Sequence, residues 1–199
     1  MKDILTIILI LVCSAASAQS KNQGYIDSLT DYRKNYIESH EVVKDNDRKF
    51  LSFYPVDPQY RISCKFEKIA NGKWFSMLTS GKERQIYRKV GRLSFSIHDT
   101  VVHLYIYQSQ SLMTNKMYKD YLFIPFTDLS SGIETYGGGR YLECFLDDIK
   151  NNRLLLDFNK AYNPYCAYSA GYNCPIPPKE NDLPVAIRAG EKNYGKPTH

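Results

Sequence analysis

Arg140 is the residue of this sequence best suited to bind an anion, because a guanidinium keeps its charge and offers five hydrogen-bond donors. It follows three glycines at 137–139, whose backbone amides can point at a ligand in a sharp turn. Alternation along a strand places Arg140 on the same face as apolar Leu142, so the guanidinium must be paired or reach the rim. Its expected partner is Asp157, followed by Asp128, Glu134 and Glu191. These residues predict either a structural ion pair or a clamp for a ligand anion.

Acidic residues offer a second kind of chemistry. A hydrolase would take its acid and base from Glu143, Asp157, Glu180 and Glu191, with Arg140 stabilising the transition state. No two of these carboxylates have a spacing that fixes the distance between them. The hydrolase hypothesis therefore rests on residue types alone.

Four cysteines remain after residue 18, and their spacing predicts one local disulfide. Cys166 and Cys174 flank a short loop rich in small residues, and a bridge between them would restrict the unfolded chain. As a nucleophile, Cys166 would lack a histidine nearby in sequence. Cys64 and Cys144 fall on apolar strand faces, where free thiols and a second bridge remain equally open. No spacing among these cysteines and the histidines suits a structural zinc, so we expect no metal and no cofactor.

Tyrosine is unusually frequent, with 17 residues, and many lie beside the glycines and the cysteine loop. Such rings suit sugar stacking or a partner surface, and they suit a half-buried loop equally well. We expect a site between the two loops, for a small anionic or carbohydrate ligand. The predicted ligand-binding residues are Tyr136, Gly137, Gly138, Gly139, Arg140, Tyr141, Asp157, Asn159, Tyr162, Asn163 and Tyr168.

The first residues predict export. Lys2 precedes an apolar run over 4–12 that ends in small residues up to Ala18, which is typical of a cleaved secretory signal over residues 1–18. The run is too short for a transmembrane anchor, which needs roughly 20 apolar residues. Cys13 allows a lipoprotein alternative, but Val12 stands where a lipoprotein signal has a small residue. We therefore expect a periplasmic or secreted protein.

Composition excludes several classes of protein. Of the 199 residues, 43% are hydrophobic and 24% are charged, and Lys plus Arg number 26 against 21 for Asp plus Glu. These values exclude a disordered chain, a polytopic membrane protein and a strongly basic nucleic-acid binder. One globular domain over residues 19–199 is expected, with no nucleic-acid partner and an oligomeric state that the sequence leaves open.

The elements that must position these residues are one helix and about eight strands. Ile26, Leu29 and Ile37 fall near helical spacing and predict an amphipathic helix over about 25–38, capped by Asp27 or Ser28 and packed on its own domain. From about residue 61 the period is two, with a hairpin turn expected at 71–72. The predicted strands are 62–67, 86–90, 93–97, 102–106, 121–126, 140–146, 153–158 and 183–189. This pattern predicts a mainly β fold, an antiparallel sandwich or barrel with the helix packed on it.

Three long segments resemble a known family. They are TYGGGRYL at 135–142, DFNKAYNPYCAY at 157–168 and CPIPP at 174–178, joined by YLFIPFTD at 121–128 and by Ala189-Gly190-Glu191. Together they resemble the uncharacterised bacterial exported-protein family known as domain of unknown function 1684, over nearly all of the chain beyond the signal. The resemblance implies no activity. Three hypotheses therefore stay open: an envelope ligand-binding module, a hydrolase, and a structural or protein-interaction domain.

Overall fold

The computed structural model describes residues 22–196, so the predicted signal segment 1–18 and Cys13 lie outside the described residues. Within them the chain forms one long helix, α1 (22–39), and eight strands joined by turns and short 3-10 helices. The strands are β1 (Arg61–Lys68), β2 (Trp74–Met77), β3 (Gln85–Ile97), β4 (Thr100–Ser109), β5 (Tyr121–Asp128), β6 (Arg140–Phe145), β7 (Arg153–Asp157) and β8 (Asp182–Leu183). The prediction of a mainly β fold with an N-terminal helix is confirmed.

One antiparallel sheet runs in the order β6-β5-β4-β3-β1-β7. The two outermost strands, β6 and β7, are consecutive in the chain and line the same recess without pairing. The sheet therefore curls into a half-barrel, and we call the gap between β6 and β7 the seam. Short β8 adds a parallel pair to β5.

The long strand β3 corrects one prediction. Asn71 and Gly72 do lie at a turn, but β1 and β2 do not form the expected hairpin. Both strands instead pair with β3, end to end along one side, because β3 has 13 residues and can accommodate both. A bulge between Lys89 and Gly91 shifts its register against β4 and joins the two strands that we predicted separately at 86–90 and 93–97.

Alternation correctly sorts residues to the two faces of the sheet. The inner face forms the main core, with Leu93, Leu104, Leu122, Leu142 and Leu154 among its buried members. The β3–β4 hairpin is confirmed as well. Two residues with positive φ, His98 at 46° and Asp99 at 64°, make its tight turn, the conformation that two-residue hairpins favour.

The predicted helix is confirmed but is longer than expected. α1 is already formed at residue 22, the first described residue, so Asp27 and Ser28 lie inside it and do not cap it. Leu29 is buried, and half-buried Arg33 holds the helix to two neighbouring loops. The Arg33 guanidinium donates to the backbone carbonyls of Tyr54 at 2.7 Å and of Asn159 at 3.2 Å. The helix thus packs on its own domain, as predicted.

The predicted strand at 183–189 is wrong beyond Leu183. Ile187 and Ala189 are fully buried, as alternation suggested, but only 182–183 pair with another strand. The carbonyl groups of Ile187, Ala189 and Glu191 bind the Arg140 guanidinium instead of a neighbouring strand. An irregular segment therefore closes this end of the half-barrel.

Candidate functional site

Arg140 lies inside the closed end of the half-barrel. Its side chain has no exposed surface, and its Nη2 donates to the Asp128 carboxylate at 2.9 Å and to the carbonyl of Ile187 at 2.8 Å. Its Nη1 donates to the carbonyls of Ala189 and Glu191 at 2.5 and 3.1 Å. The guanidinium is enclosed by its own chain and offers no surface to an external anion. This arrangement is the structural ion pair, with Asp128 as the partner.

Asp157 does not pair with Arg140, contrary to our expectation. The core side of β7 is formed by Leu154 and Leu156, so Asp157 points to the other face of the sheet. There its two carboxylate oxygens accept hydrogen bonds from the Tyr25 hydroxyl of α1, at 2.9 and 2.8 Å. Asp157 thus helps to anchor the helix.

Three further predicted residues join loops together at the closed end. The buried Asn159 side chain accepts a hydrogen bond from the backbone amide of Asp57 and donates one to its carbonyl. The Asn163 side chain donates to the carbonyl of Lys192. The Tyr168 hydroxyl donates to the Glu191 carboxylate at 2.7 and 2.8 Å. These contacts leave Asn159 and Asn163 buried within the loops.

Glu191 is fully buried at the meeting point of α1 and the cysteine loop. Its carboxylate accepts hydrogen bonds from the hydroxyls of Tyr168 and Tyr36 and from the backbone amide of Asn163. Burial raises its pKa to about 7, although these donors oppose the shift. A carboxyl so enclosed serves the packing of α1 and borders none of the recesses described below.

Only one glycine of the triplet has a conformation that requires glycine. Gly139 has φ 85°, and a Cβ there would lie 2.6 Å from the carbonyl oxygen of Phe126. Gly137 and Gly138 are exposed in the preceding turn, next to half-buried Tyr136. The three glycines therefore form the turn that leads into β6.

The predicted disulfide between Cys166 and Cys174 is present, with 6.4 Å between the two Cα atoms. Cys64 and Cys144 are free and buried, which settles that open alternative, and burial raises the pKa of each thiol to about 12. The chain that follows the disulfide, residues 174–181, crosses the outer face of the sheet, and we call it the strap. The Tyr141 hydroxyl donates to the carbonyl of Pro175 in the strap.

Aromatic rings cover the outer face of the sheet beside the strap. Register places Tyr107, Phe123 and Glu143 in one row across β4, β5 and β6. The Phe123 ring packs against Tyr141 and Tyr87, with ring centroids 4.7 and 5.6 Å apart. Beside these rings lies a groove of about 350 Å³, closed at one side by the loop at 111–119. Its lining is Gln85, Tyr87, Leu112, Tyr118, Tyr121, Phe123, Tyr141, Glu143, Tyr162 and Pro175.

Glu143 and Tyr162 lie where three recesses meet. Both line the aromatic groove, a recess of about 390 Å³ against α1, and a recess of about 320 Å³ at the seam. Tyr32 of α1 borders the second and third recesses. Glu143 and Tyr162 thus form the centre of a continuous concave surface that spans the outer face from the strap to the seam.

At this centre the phenols of Tyr121 and Tyr162 stay neutral and can donate hydrogen bonds, and the Glu143 carboxylate beside them is exposed. Burial, and after it the neighbouring charges including Glu143, raises the pKa of Tyr121 well above its usual range. Burial and the Glu143 charge also raise the pKa of Tyr162. Within residues 22–196, Glu143 forms no ion pair. The exposed carboxylate therefore has no countercharge among these residues.

The structure brings together only two of the four proposed hydrolase carboxylates. Glu180 pairs with Lys89 at 2.7 Å, and Glu191 is buried in the helix contact. Glu143 and Asp157 line the same seam recess. Among the described residues, no group of three His, Cys, Asp or Glu side chains is placed to hold a metal ion.

Of the predicted ligand-binding residues, only Tyr141 and Tyr162 line the aromatic groove. Sequence reasoning missed Tyr87, Tyr121 and Phe123, and it treated Glu143 only as a catalytic candidate. The pattern that reveals them is aromatic residues on the outward positions of β3, β5 and β6, opposite the apolar inward positions.

The family model described as "Protein of unknown function (DUF1684)" matches residues 48–192, more than half of the chain. The chain belongs to the DUF1684 family. The matched region of this family spans both the closed end and the aromatic groove, and begins after α1. The resemblance seen in the motifs is thus confirmed.

This DUF1684 protein shares its fold with a solved structure. It is the solution NMR structure of an uncharacterised protein from gene locus rrnAC0354 of Haloarcula marismortui, 28% identical in sequence, with a TM-score of 0.64. The alignment covers 87% of this chain and 96% of that one. No match is found among functionally curated proteins. None of the helices in residues 22–196 is long and apolar enough to cross a membrane.

Proposed function

We propose that this protein is a binding module for a neutral carbohydrate and that the aromatic groove is its site. The observation that supports the proposal most is the position of Glu143 and Tyr162 at the junction of three recesses. Flat aromatic faces pack on the C–H surfaces of a sugar, while phenols and a carboxylate exchange hydrogen bonds with its hydroxyls. The connected recesses suit an extended oligosaccharide better than a single sugar.

The charge of the surface favours a neutral ligand over the anionic one considered from sequence. Four carboxylates and one lysine line the three recesses: Glu41, Glu143, Asp148, Asp157 and Lys160. Arg140, the cation on which an anion site depended, is enclosed and already paired. An anion on this surface would face repulsion.

Titration with a panel of short cello-, malto-, xylo- and chito-oligosaccharides by isothermal calorimetry tests the proposal. We expect saturable binding of at least one series, weakened about tenfold or more by Tyr118→Ala and by Glu143→Gln. The matched controls are Tyr172→Ala, since Tyr172 is 39% exposed against 40% for Tyr118 and lies outside the groove, and Glu38→Gln on the outer side of α1. An equal loss of sugar affinity in the control variants would contradict the proposal. Aromatic rings beside a carboxylate can also bind a quaternary ammonium cation, so tighter binding of tetramethylammonium than of every sugar would contradict it as well.

A glycoside hydrolase is the second candidate, favoured because Glu143 and Asp157 line one recess. Two carboxylic acid side chains that flank the scissile glycosidic bond are the usual catalytic arrangement in glycoside hydrolases. Arg140 has no part in this version, because it is enclosed. Release of nitrophenol from aryl glycosides, abolished by Glu143→Gln and by Asp157→Asn alike, would support it. Tight sugar binding without turnover would refute it.

We also propose that the protein acts outside the cytoplasm. The bridged Cys166 and Cys174 suit an oxidising compartment, and residues 1–18 have the pattern of a cleaved secretory signal. Intact mass spectrometry of the protein from its native cells tests both points. We expect a chain that starts at Gln19 and is two hydrogen atoms lighter than its reduced form, whereas an intact N-terminus would contradict export. A lipid attached at Cys13 would support the lipoprotein alternative.

A further inference from the structure

A further cavity, which shares no lining residue with the three recesses above, lies at the end of the half-barrel opposite Arg140. Its volume is about 410 Å³, within the range of roughly 300–1,000 Å³ typical of small-ligand sites. The floor is apolar and comes from Phe66, Val90, Leu146 and Ile149. Phe66 belongs to the main core, and Val90 and Ile149 pack against it, so the cavity leads into the inner face of the sheet. The mouths of β-barrels are common ligand sites.

Two cationic side chains, Lys68 and Arg88, line the cavity above this floor, and neither pairs with a carboxylate among the described residues. Lys68 continues the inner face of β1 beyond Phe66, and its ammonium group makes no ion pair or hydrogen bond within residues 22–196. In the described part of the chain, the Arg88 guanidinium donates only to the side-chain oxygen of Gln108, at 2.7 and 3.1 Å, and packs over the Trp74 ring at 4.9 Å.

Among the described residues that line the cavity, none is acidic. The third cation, Lys89, is engaged elsewhere, since its ammonium pairs with Glu180. An apolar floor below two uncompensated cations complements a molecule with one apolar chain and one anionic end.

We propose that this cavity binds a single-chain amphipathic anion of the fatty-acid type, with its carboxylate between Lys68 and Arg88 and its chain along Phe66 and Ile149. The site lies at the other end of the molecule from the closed end and on the opposite face of the sheet from the aromatic groove. It therefore does not depend on the proposed carbohydrate function.

Calorimetric titration with sodium octanoate at pH 8, compared with 1-octanol and octyltrimethylammonium, tests the charge requirement. We expect one octanoate per protein, and binding of the neutral and cationic compounds at least tenfold weaker. Lys68→Gln, at an exposed position, should reduce octanoate affinity about tenfold, and Arg88→Gln should do so at least as strongly. The controls Lys82→Gln, at an exposed lysine outside the cavity, and Glu143→Gln should leave the affinity unchanged.

A second measurement on the unmodified protein protects the test against misfolding of a variant. In methyl NMR spectra, octanoate should shift the resonances of Val90, Leu146 and Ile149 and leave those of Leu29 and Ile187 in place. The proposal is overturned if octanoate does not bind, if 1-octanol binds equally well, if Lys68→Gln binds octanoate as the unmodified protein does, or if the shifted methyl groups lie elsewhere.

Discussion

Replacing Arg140 with Met separates a structural guanidinium from a ligand clamp. The substitution keeps much of the apolar stem but removes the charge and the four hydrogen bonds that Nη1 and Nη2 donate. Asp128 would then remain as an unpaired carboxylate with no exposed surface. The buried backbone carbonyls of Ile187 and Ala189 would lose their donor as well.

The expected loss of stability is large. Removing one partner of a buried ion pair costs about 3–5 kcal/mol, and each abandoned buried acceptor adds about 1–3 kcal/mol before the chain relaxes. We therefore expect Arg140→Met to lower the free energy of unfolding by at least about 4 kcal/mol. Since native domains have a free energy of unfolding of about 5–15 kcal/mol, the variant should be only marginally stable. With a slope of about 2 kcal/mol per molar urea, the unfolding midpoint falls by about 2 M.

Urea unfolding followed by circular dichroism measures this loss, with Arg188→Met as the matched control. Arg188 pairs with Glu134 at the same 2.9 Å, but the two side chains are 61% and 33% exposed. An exposed pair contributes less than about 1 kcal/mol. Adding Asp128→Asn to Arg140→Met should recover part of the stability, because it removes the stranded charge. If Arg140→Met cost no more than Arg188→Met, the structural interpretation of Arg140 would be wrong.

Three further predictions concern stability. The pKa of Glu191 is raised from 4.5 to about 7 in the folded protein, so its folded state holds a proton that the unfolded state has lost between these pH values. Stability should therefore fall by about 3 kcal/mol as pH rises from 4.5 to 7, and urea unfolding of Glu191→Gln should lack this slope; equal slopes would contradict it. Opening the ring between Cys166 and Cys174 by the double serine substitution should cost about 2–3 kcal/mol in urea unfolding, and no change would show that the bridge does not restrain the unfolded chain. Gly139→Ala should lower the melting temperature through about 1–3 kcal/mol of strain at its positive φ, whereas Gly137→Ala, which lacks positive φ, serves as the control; similar melting temperatures would refute the requirement for glycine.

Local patterns predicted the sheet faces and the disulfide because those features depend on neighbours in sequence. The period of two placed Leu142 and Cys144 of β6 on the core face, and both are buried. The closely spaced Cys166 and Cys174 needed only a short loop to meet. The same logic explains the success with the β3–β4 hairpin.

Errors arose where the partner of a group is distant in sequence. Alternation assigned Arg140 and Asp157 to faces of their own strands but did not show which face of β7 turns toward the core. At Ile187 and Ala189 the apolar spacing of a strand was real, yet the carbonyls bind a guanidinium. A buried cation can thus replace strand pairing without changing the hydrophobic pattern.

The aromatic groove could not be predicted because its rings come from separate strands. Tyr107, Phe123 and Glu143 become neighbours only through the register of β4, β5 and β6, and that register depends on the whole sheet. The sequence did reveal the abundance of tyrosine near the cysteine loop. It did not indicate that the strap would leave the outer face concave.

Amide NMR of the labelled protein during titration with an oligosaccharide from the panel locates the bound sugar residue by residue. We expect the largest shifts at Glu143, Tyr162 and Tyr118, and we expect them to fit the same affinity as calorimetry. Shifts confined to the glycine turn at 137–139, or a spectrum that stays unchanged at saturating sugar, would contradict the assignment of the aromatic groove as the binding site.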